Sequence, residues 1–359
     1  MTDPIRMKKA IMSLGLIFFV LILFSSGAVA AHDQNEATFR IMTQNMDSGT
    51  DLGFVLALEG SPLSVDLTLA EVQASQIPER ANLLAAKIAA EHPDMVALQE
   101  ATLYRVGPTP ETATQILYDQ LELLLSALDS YGVGYNIVAV NTLTDVALSG
   151  SDGAVRYTDR DALLIRSDRR PPIFHISNTH THIYDAGLDI LGLVVSQGWI
   201  STDVHMSNKH FRLVVTHLET PIPGVPEATD VQVAQAGELI HSLRNLTIPV
   251  VLCGDFNSDA NFGSGPDSTP SAALIETAGY ADTWRIANPD DPGDTWPLFL
   301  EDQPPPDFFQ PFVPFERIDL FFSRDIQVVG AKEVLAPAPL GNVPPYGSDH
   351  AGVIATFQL

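Results

Sequence analysis

The sequence has a single cysteine, Cys253, in 359 residues. One thiol cannot form a disulfide within the chain, so a disulfide-stabilised scaffold is excluded and the fold must depend on its hydrophobic core. Hydrophobic residues make up 45% of the sequence, which is ample for one large domain or two small ones. Cys253 stands in the apolar run "VVLC" and is most simply a small buried side chain.

Basic residues are also scarce, with 19 Lys and Arg against 44 Asp and Glu and a formal net charge of −25 at pH 7. No basic cluster is longer than Arg166 to Arg170. Such a field repels polyanions, so a long nucleic acid or an anionic membrane is a poor default partner unless cations intervene. Acidic surfaces also serve solubility, so nucleic acid is disfavoured without being excluded.

The N-terminus has the pattern of an export signal. Three basic residues precede the apolar run "IMSLGLIFFVLIL", which is followed by "SSGAVA". This predicts a signal peptide over residues 1–30 and a protein that is secreted, periplasmic or extracellular. The alternative is an uncleaved anchor, although the run is shorter than the roughly 20 residues that span a bilayer. Residues 31–359 show no repeat or long low-complexity linker and are predicted to form a single domain.

Hydrophobic periodicity predicts both strands and helices. Short apolar runs bounded by turn residues predict strands over 38–45, 94–99, 135–140, 161–167, 211–218, 248–255, 317–323 and 352–357. Helical spacing predicts helices over 75–93, 114–130 and 230–246. Such clustering favours an α+β or α/β domain in which stacked sheets are covered by helices.

The segment 291–316 is dense in proline and aromatic residues, which predicts a long ordered loop or hairpin. It carries Phe308, Phe309, Phe312 and Phe315. If these rings are exposed, they could insert at a membrane surface. The alternative is that they pack on the protein's own core.

Polar residues stand at the ends of several predicted strands. Because residues at strand ends converge on one rim in layered sheets, we expect these side chains to meet. In "GDFN", two positions that alternate along an extended segment project to the same side. The residues concerned are Asn45 in "TQN", Glu100 in "ALQE", His217 in "VVTHLE", Asp255 and Asn257 in "CGDFN", Asp319 in "RIDLFF", and Ser348, Asp349 and His350 in "GSDH".

These motifs resemble those of the endonuclease/exonuclease/phosphatase superfamily, the DNase I-like fold that includes apurinic endonucleases, bacterial sphingomyelinases and inositol-polyphosphate phosphatases. "GDFN" and "SDH" are the most specific, and the motifs together span Asn45 to His350. The resemblance implies an α+β fold, a four-layer α/β/β/α sandwich of two sheets flanked by helices. It also implies metal-dependent cleavage of a phosphate ester.

The resemblance implies a metal site for Mg²⁺, or Mn²⁺ in its place. Glu100 would be a direct ligand, and Asn45 and Asp349 would lie at the metal or its water shell. Hard divalent cations favour carboxylate and amide oxygens with waters that complete the shell, so the residue types suit this metal.

The resemblance also implies catalytic roles. His350 would be the general base, with Asp319 as the carboxylate that orients it. His217 would donate a hydrogen bond or proton from the opposite side. Asp255 and Asn257 would position the nucleophile and the scissile phosphate.

Other polar residues are open to two interpretations. Arg160 could reach a substrate phosphate. The pairs Asp47/Asp51 and Asp159/Asp161 could bind a second cation, but solvated loop carboxylates are the simpler interpretation. The histidines of "HISNTHTHIYD" could hold zinc, although His-x-His also arises on one face of a strand.

The sequence therefore predicts an exported, Mg²⁺-dependent phosphoesterase, with a phospholipid or small phosphodiester favoured over nucleic acid. A secreted nuclease is the alternative substrate class. A binding module that has lost catalysis is the alternative from another class, but such a decayed site should lack a site residue, and none is missing. The oligomeric state and the number of metals are left open.

Overall fold

The computed structural model describes residues 38–169, 174–190, 192–206, 208–263, 265–300, 309–341 and 343–359. The predicted signal peptide, 1–30, and Phe308 lie outside these ranges. Residues Ala37–Leu359 form one compact unit. Within the described ranges, no helix has the length and apolar character needed to cross a bilayer.

Sixteen strands lie in the described part of the chain. In chain order they are β1 (Thr38–Asn45), β2 (Met95–Gln99), β3 (Leu103–Gly107), β4 (Gln115–Asp119), β5 (Tyr135–Ser149), β6 (Ala154–Arg166), β7 (Phe174–Ile183), β8 (Leu188–Ile190), β9 (Leu193–Val195), β10 (Gly198–Met206), β11 (Lys209–His217), β12 (Val250–Asp255), β13 (Ala281–Asp282), β14 (Asp319–Arg324), β15 (Gln327–Val334) and β16 (Gly352–Gln358).

These strands form two large sheets and a separate hairpin. The first sheet has eight strands in the order β15-β16-β1-β2-β6-β3-β4, and β5 pairs with β6. The second has six in the order β13-β14-β12-β11-β10-β7, and β8 pairs only with β9. Strands β2 and β12 are buried along their whole length, as expected for near-continuous apolar strands that are covered on both faces.

Seven α-helices flank the sheets in the described ranges: α1 (Gly53–Ala57), α2 (Pro62–Ala74), α3 (Ile77–Glu91), α4 (Gln120–Ser130), α5 (Pro226–Leu243), α6 (Ser271–Thr277) and α7 (Thr283–Ala287). Helix α3 buries Leu84 and Ile88, four residues apart, and the chain leaves the helix at His92 (φ 52°), just before Pro93. Proline cannot continue a helix, which accounts for this end.

Three hydrophobic clusters separate four layers. Ile41 and Leu163 of the first sheet pack with Leu213 and Val251 of the second. A second cluster joins helices α3 and α4 to the outer face of the first sheet, and a third joins α5 and α6 to the outer face of the second. The order helix, sheet, sheet, helix confirms the predicted α/β/β/α sandwich.

Most of the predicted elements are confirmed, with one clear error. The strand predicted over 38–45 matches β1, and the helices predicted over 75–93 and 230–246 correspond to α3 and α5. The helix predicted over 114–130 is wrong in its first turn and a half, because 115–119 form β4 and helix α4 begins at Gln120. Pairing with β3 at this sheet edge overrides the helical periodicity of the stretch.

The segment 291–316 is hairpin-like where it is described, with bridges between Trp296 and Glu316 and between Phe299 and Pro311. Of the two interpretations of the aromatic residues, Phe309 follows packing on the protein's own core, because it is only 3% exposed and packs edge-on against Phe299. The apolar ring of Phe309 is more stable in contact with Phe299 than it would be in water.

Phe312 and Phe315, the other two described members of the candidate membrane-contact set, remain on the surface. Each is 44% exposed, and Val313 between them is 80% exposed. The rings of Phe312 and Phe315 contact each other edge-on, with their centroids 6.1 Å apart. Among the described residues of the set, only these two rings are therefore exposed.

Gly254 allows the two central strands of the second sheet to approach each other. It pairs with Thr216 across β11 and β12 and has φ +145°, outside the range of ordinary L-residues. A Cβ at this position would lie 1.8 Å from the backbone oxygen of Thr216. The glycine of "GDFN" is therefore required by the backbone that carries Asp255.

We expect Gly254→Ala to lower the free energy of unfolding by at least about 1–3 kcal/mol, because the backbone of Thr216 cannot yield to a methyl group without disturbing the sheet. Urea denaturation measures the change. Gly330→Ala in β15 is the matched control, since nothing lies within 4 Å of its Cβ position, and it should be neutral or slightly stabilising. Equal effects of the two substitutions would contradict this account.

Candidate active site

The register of the strands brings the predicted site residues to one rim. In the second sheet, His217 of β11 pairs with Asp255 of β12, which pairs with Asp319 of β14. In the first sheet, the parallel strands β1 and β2 end at the paired residues Asn45 and Gln99. Strand ends of both sheets thus lie at the same edge of the sandwich.

His350 and Asp319 form a buried pair at this rim. Nδ1 of His350 is 2.8 Å from Oδ2 of Asp319, so the ring donates to the carboxylate and leaves Nε2 free. Nε2 faces Oδ2 of Asp255 at 3.9 Å and Oδ1 of Asp349 at 3.8 Å. Burial disfavours the imidazolium, but Asp319 and Asp349 raise the pKa of His350 well above its usual value.

Ser348 connects His350 to β1. Its hydroxyl accepts from the backbone N–H of His350 at 3.0 Å and donates to the carbonyl oxygen of Asn45 at 2.8 Å. The "SDH" motif is therefore attached to the end of β1 by its serine. This contact places the loop that carries His350 against the end of β1, some three hundred residues earlier in the chain.

The amide of Asn45 joins two carboxylates. Nδ2 donates to Oε1 of Glu100 at 2.8 Å and to Oδ2 of Asp255 at 2.9 Å, while Oδ1 accepts from the backbone N–H of Asp47 at 2.8 Å. The backbone N–H of Ser48 donates to the other oxygen of Glu100 at 2.7 Å. Asn45 lies at the predicted metal site, but its amide nitrogen is turned toward the two carboxylates. In this arrangement Asn45 holds Glu100 and Asp255 in position and does not offer an oxygen to a metal ion.

Asn257 adopts a left-handed backbone, with φ 45°. Oδ1 of Asp255 accepts from its backbone N–H at 2.8 Å, and its own Nδ2 donates to the carbonyl oxygen of Leu218 at 2.9 Å. One amide hydrogen is thereby used to fix the side chain, and the second is left for a ligand. Glu100 (φ 53°) and Asp47 (φ 60°) share this uncommon conformation, which often marks functional sites.

His217 stands on the other side of Asp255. Its Nε2 is 3.8 Å from Oδ2 of Asp255 and its Nδ1 is 3.8 Å from Oδ1 of Asp161. Neither ring nitrogen has a hydrogen-bond partner among the described residues. Burial favours the neutral ring, but Asp161, Asp255 and Asp159 raise the pKa of His217 to about 10, so it carries a proton at neutral pH.

One cavity of about 620 Å³ is lined by most of the site residues, namely Asp47, Ser48, Glu100, Asp159, His217, Asp255, Asn257, Asp349 and His350. Asn45, Asp161, Asp319 and Ser348 do not belong to its lining. No lysine or arginine belongs to its lining among the described residues, whereas eight carboxylates do: Asp47, Asp51, Glu100, Asp159, Glu219, Asp255, Asp267 and Asp349. Burial raises the pKa of Asp255 to about 6 and the pKa values of Asp159 and Asp349 to about 7.

A model of the endonuclease/exonuclease/phosphatase family matches residues 42–350, which include every residue of this site. The chain belongs to this family. Comparison with curated proteins finds no match.

Solved structures of endonuclease/exonuclease/phosphatase proteins share the fold. One from Beutenbergia cavernae DSM 12333 is 22% identical, with a TM-score of 0.54 over 90% of this chain and 72% of that one. One from Bacteroides thetaiotaomicron is 15% identical, with a TM-score of 0.55 over 90% and 96%. Humanized D. rerio TDP2 is 13% identical, with a TM-score of 0.52 over 89% and 98%. At these identities the likeness concerns the fold alone.

For an endonuclease/exonuclease/phosphatase protein, a divalent cation is the usual cofactor, and the residues present fit one. Carboxylate oxygens of Glu100 and Asp255 lie within 4.8 Å of each other and would hold the cation, while the protonated His217 ring beside them is not a ligand. The pKa of Glu100 is lowered although burial opposes this, because His217, the Asn45 amide and other donors favour its charged form. Buried carboxylates without a neighbouring lysine or arginine are suited to a hard cation, and Oδ1 of Asp349 is available beside them because only Oδ2 accepts from Trp296.

Two acidic pairs differ from the sequence interpretation. Asp159 and Asp161 on β6 are buried, and both oxygens of Asp161 lack hydrogen-bond partners among the described residues, so the solvated-loop interpretation is wrong for them. It is also wrong for Asp47, whereas Asp51 is exposed. The missed signal is similar to that of "GDFN": Asp159 and Asp161 stand at alternate positions beside an apolar run, here the "ALLI" of β6.

Glu219 and Trp296 were not predicted at all. Burial raises the pKa of Glu219 to about 7, and Trp296 donates from its indole to Oδ2 of Asp349 at 2.9 Å. Glu219 follows β11 directly after His217 and Leu218, and this position alone could have suggested it. Trp296 lies in the proline-rich segment, and the sequence has no signal that connects it to the site.

Arg160 is not directed into the cavity. Its guanidinium forms an ion pair with Asp119 at 2.6 Å and donates to the carbonyl oxygen of Ala101 at 2.7 Å, so its charge is used to hold β6 beside the neighbouring segments. The assignment of Arg160 to substrate is therefore abandoned. The histidines of β7 belong to neither of the metal-binding groups found in the described ranges.

We expect Glu100→Gln to weaken Mg²⁺ and Mn²⁺ binding at least about tenfold, because it removes an ionised donor while it nearly preserves shape. Isothermal titration with Mn²⁺ measures the affinity. Asp152→Asn, in an exposed loop outside the cavity, is the control and should bind as the wild type does. Wild-type affinity in Glu100→Gln would exclude it as a ligand.

We expect the metal-free protein to lose stability as the pH rises from about 5 to 8. Asp159, Asp255 and Asp349 have folded-state pKa values raised from 3.8 to between about 6 and 7, so their stabilising contribution is lost as the pH rises through those values. The raised pKa of His217 acts in the same direction. Thermal unfolding in EDTA tests this, and added Mg²⁺ should raise the midpoint most at pH 8. A midpoint that increases with pH in EDTA would contradict the expectation.

Proposed function

We propose that this protein is an exported, Mg²⁺-dependent phosphodiesterase that acts on a small or zwitterionic phosphate ester, with Mn²⁺ able to replace Mg²⁺. The export part rests on the N-terminal sequence pattern. The observation that carries the catalytic part is the assembly of the His350–Asp319 pair, Asp255, Glu100 and His217 around one point of a single rim.

The residues suit in-line attack by water on phosphorus. In the metal-free protein the surrounding carboxylates favour the charged form of the His350 ring. A cation held by those carboxylates would offset their charge, and Nε2 of His350 could then take the proton of the attacking water while Asp319 stabilises the imidazolium that results. As the bond from phosphorus to the leaving oxygen breaks, protonated His217 can supply the proton that this oxygen needs. The second amide hydrogen of Asn257 can donate to a phosphoryl oxygen. A bound cation would neutralise charge on the phosphate.

The charge of the cavity supports a small or zwitterionic substrate. Proteins that bind nucleic acid usually contact phosphates with lysine and arginine, and the described cavity lining has neither. Eight carboxylates would repel the flanking phosphates of a polynucleotide. A secreted nuclease is the second candidate, because the family includes endonucleases and a cation can offset charge locally.

A phospholipid is the substrate class that the remaining exposed aromatic surface would suit. Phe312 and Phe315 are exposed together, and the ring of Phe315 lies 6.2 Å from that of Trp296, which itself lines the cavity. A membrane contact here would bring a lipid phosphate close to the site. The contact proposed from sequence is accordingly reduced to Phe312, Val313 and Phe315.

The test of function is hydrolysis by the purified mature chain of bis-p-nitrophenyl phosphate, p-nitrophenyl phosphate, plasmid DNA and sphingomyelin liposomes, each with Mg²⁺ and with EDTA. We expect metal-dependent cleavage of the diester or the lipid and little cleavage of DNA. Preferred cleavage of plasmid would favour the nuclease. If none of the four substrates is cleaved under either condition, the result would favour a non-catalytic binding module of the same fold.

We expect His350→Ala to lower kcat/KM at least about 10²-fold, measured well below the thermal midpoint of the variant, because the general base is lost. The midpoint should also fall, because the buried carboxylate of Asp319 loses its hydrogen-bond donor. His241→Ala is the matched control, since this histidine is exposed on α5, and it should keep full activity. Unchanged activity in His350→Ala would show that His350 is not the general base.

A further inference from the structure

The cavity is much larger than a phosphate group and continues away from the catalytic residues into an apolar region. The same cavity of about 620 Å³ is lined by His350 and Asp255 at one end and by aliphatic side chains of α1, α2, β5, β6 and the β8-β9 hairpin. We call this aliphatic part the apolar arm. None of its side chains has a role in the chemistry described above.

One wall of the apolar arm comes from α2. Val65, Leu69 and Val72 lie four and three residues apart, so they share one face of the helix, and all three line the cavity. Val65 and Val72 are buried, whereas Leu69 keeps part of its surface accessible. Leu63 on the same helix points elsewhere and is 58% exposed.

The facing wall comes from two paired strands. Val146 of β5 pairs with Tyr157 of β6, and Leu148 pairs with Val155, and all four line the cavity. The β8-β9 hairpin adds the cross-strand pair of Ile190 and Leu193. Five of these six side chains are aliphatic and Tyr157 is aromatic, and each is half-buried, so the apolar arm presents accessible apolar surface.

We propose that the apolar arm binds a linear hydrocarbon chain of the phosphodiester substrate while its phosphate lies at the catalytic end. Aliphatic walls recognise a ligand by non-directional burial, which suits an acyl or alkyl chain. The elements of the apolar arm also add the hydroxyls of Thr68, Thr144 and Tyr157 to the lining, but a nucleobase placed against the aliphatic side chains would leave hydrogen-bonding edges without partners. The inference rests on the proposed phosphodiesterase function and names the apolar part of its substrate.

The first experiment does not depend on catalysis. In EDTA, the neutral fluorophore N-phenyl-1-naphthylamine is bound to the protein and displaced with 1-butanol, 1-hexanol and 1-octanol. We expect the affinity to rise about fourfold per methylene until the apolar arm is filled. Absence of fluorophore binding would overturn the proposal, because another segment of the chain or a second copy would then cover the apolar arm.

Two matched pairs of variants locate the binding. Leu69→Gln should weaken octanol binding at least about tenfold, and Leu63→Gln on the same helix should leave it unchanged. Val146→Thr keeps the shape of the β5 side chain and should also weaken octanol binding. Ile137→Thr is the control, because Ile137 is exposed on the same strand outside the cavity, and it should leave octanol binding unchanged. Equal octanol affinity in all four variants would overturn the proposal.

The second experiment uses methyl, butyl, hexyl and octyl p-nitrophenyl phosphate with Mg²⁺, below their micelle concentrations. We expect kcat/KM to rise with chain length, and the octyl-to-methyl ratio to fall at least about tenfold in Leu69→Gln but not in Leu63→Gln. Alkanol binding without any dependence of kcat/KM on chain length would overturn the substrate assignment. If no ester is hydrolysed, the proposed function fails, and the displacement assay alone decides whether the apolar arm is a hydrocarbon site.

Discussion

The candidate active site depends on the burial of several carboxylates where the strand ends of two packed sheets meet. A buried carboxylate lowers the stability of the fold unless hydrogen bonds or an opposite charge compensate it. In this protein an amide and an imidazole supply hydrogen bonds, and a second imidazole supplies positive charge. Asn45 donates to Glu100 and Asp255 at once, and His350 donates to Asp319. His217 faces Asp255 and Asp161 without a hydrogen bond to either.

This shared compensation makes the site a single electrostatic unit. Asp255 is the common neighbour, since it accepts from Asn45 and from the backbone of Asn257 and faces both imidazoles. A change in charge at one member alters the pKa values of the rest, as expected for groups this close. The remaining negative charge, with no lysine or arginine in the described lining, is what suits the centre to a hard cation.

The cavity combines this charged centre with an apolar arm, and the two are built from partly different elements. The central strands of both sheets end at the rim that carries the charged centre, and their positions are determined by the core between the sheets. The apolar arm is built from α2, the paired strands β5 and β6 and a two-stranded hairpin that pairs with neither sheet. Strand β6 belongs to both parts, since it carries Asp159 and Asp161 as well as Val155 and Tyr157, whereas α2 and the hairpin can vary with less effect on the charged centre.

The sequence by itself determined the layered fold and six residues at the centre of the site, but not Glu219 or Trp296. Continuous apolar runs such as 250–253 require strands that are covered on both faces, and short polar motifs mark the ends of those strands. Asn45, Glu100, His217, Asp255, Asp319 and His350 were all identifiable in this way, because each motif lies within a few residues of its strand.

Only the tertiary structure decided which polar residues face the cavity and which face solvent. Arg160 and Asp161 are adjacent in sequence, yet Arg160 pairs with Asp119 and Asp161 faces His217, since neighbouring side chains of a strand project to opposite sides. The same applies to Phe309 and Phe312, of which one is buried and one exposed. The apolar arm had no sequence signal, because its walls come from segments about a hundred residues apart that become neighbours only when the sheets, α2 and the hairpin pack together.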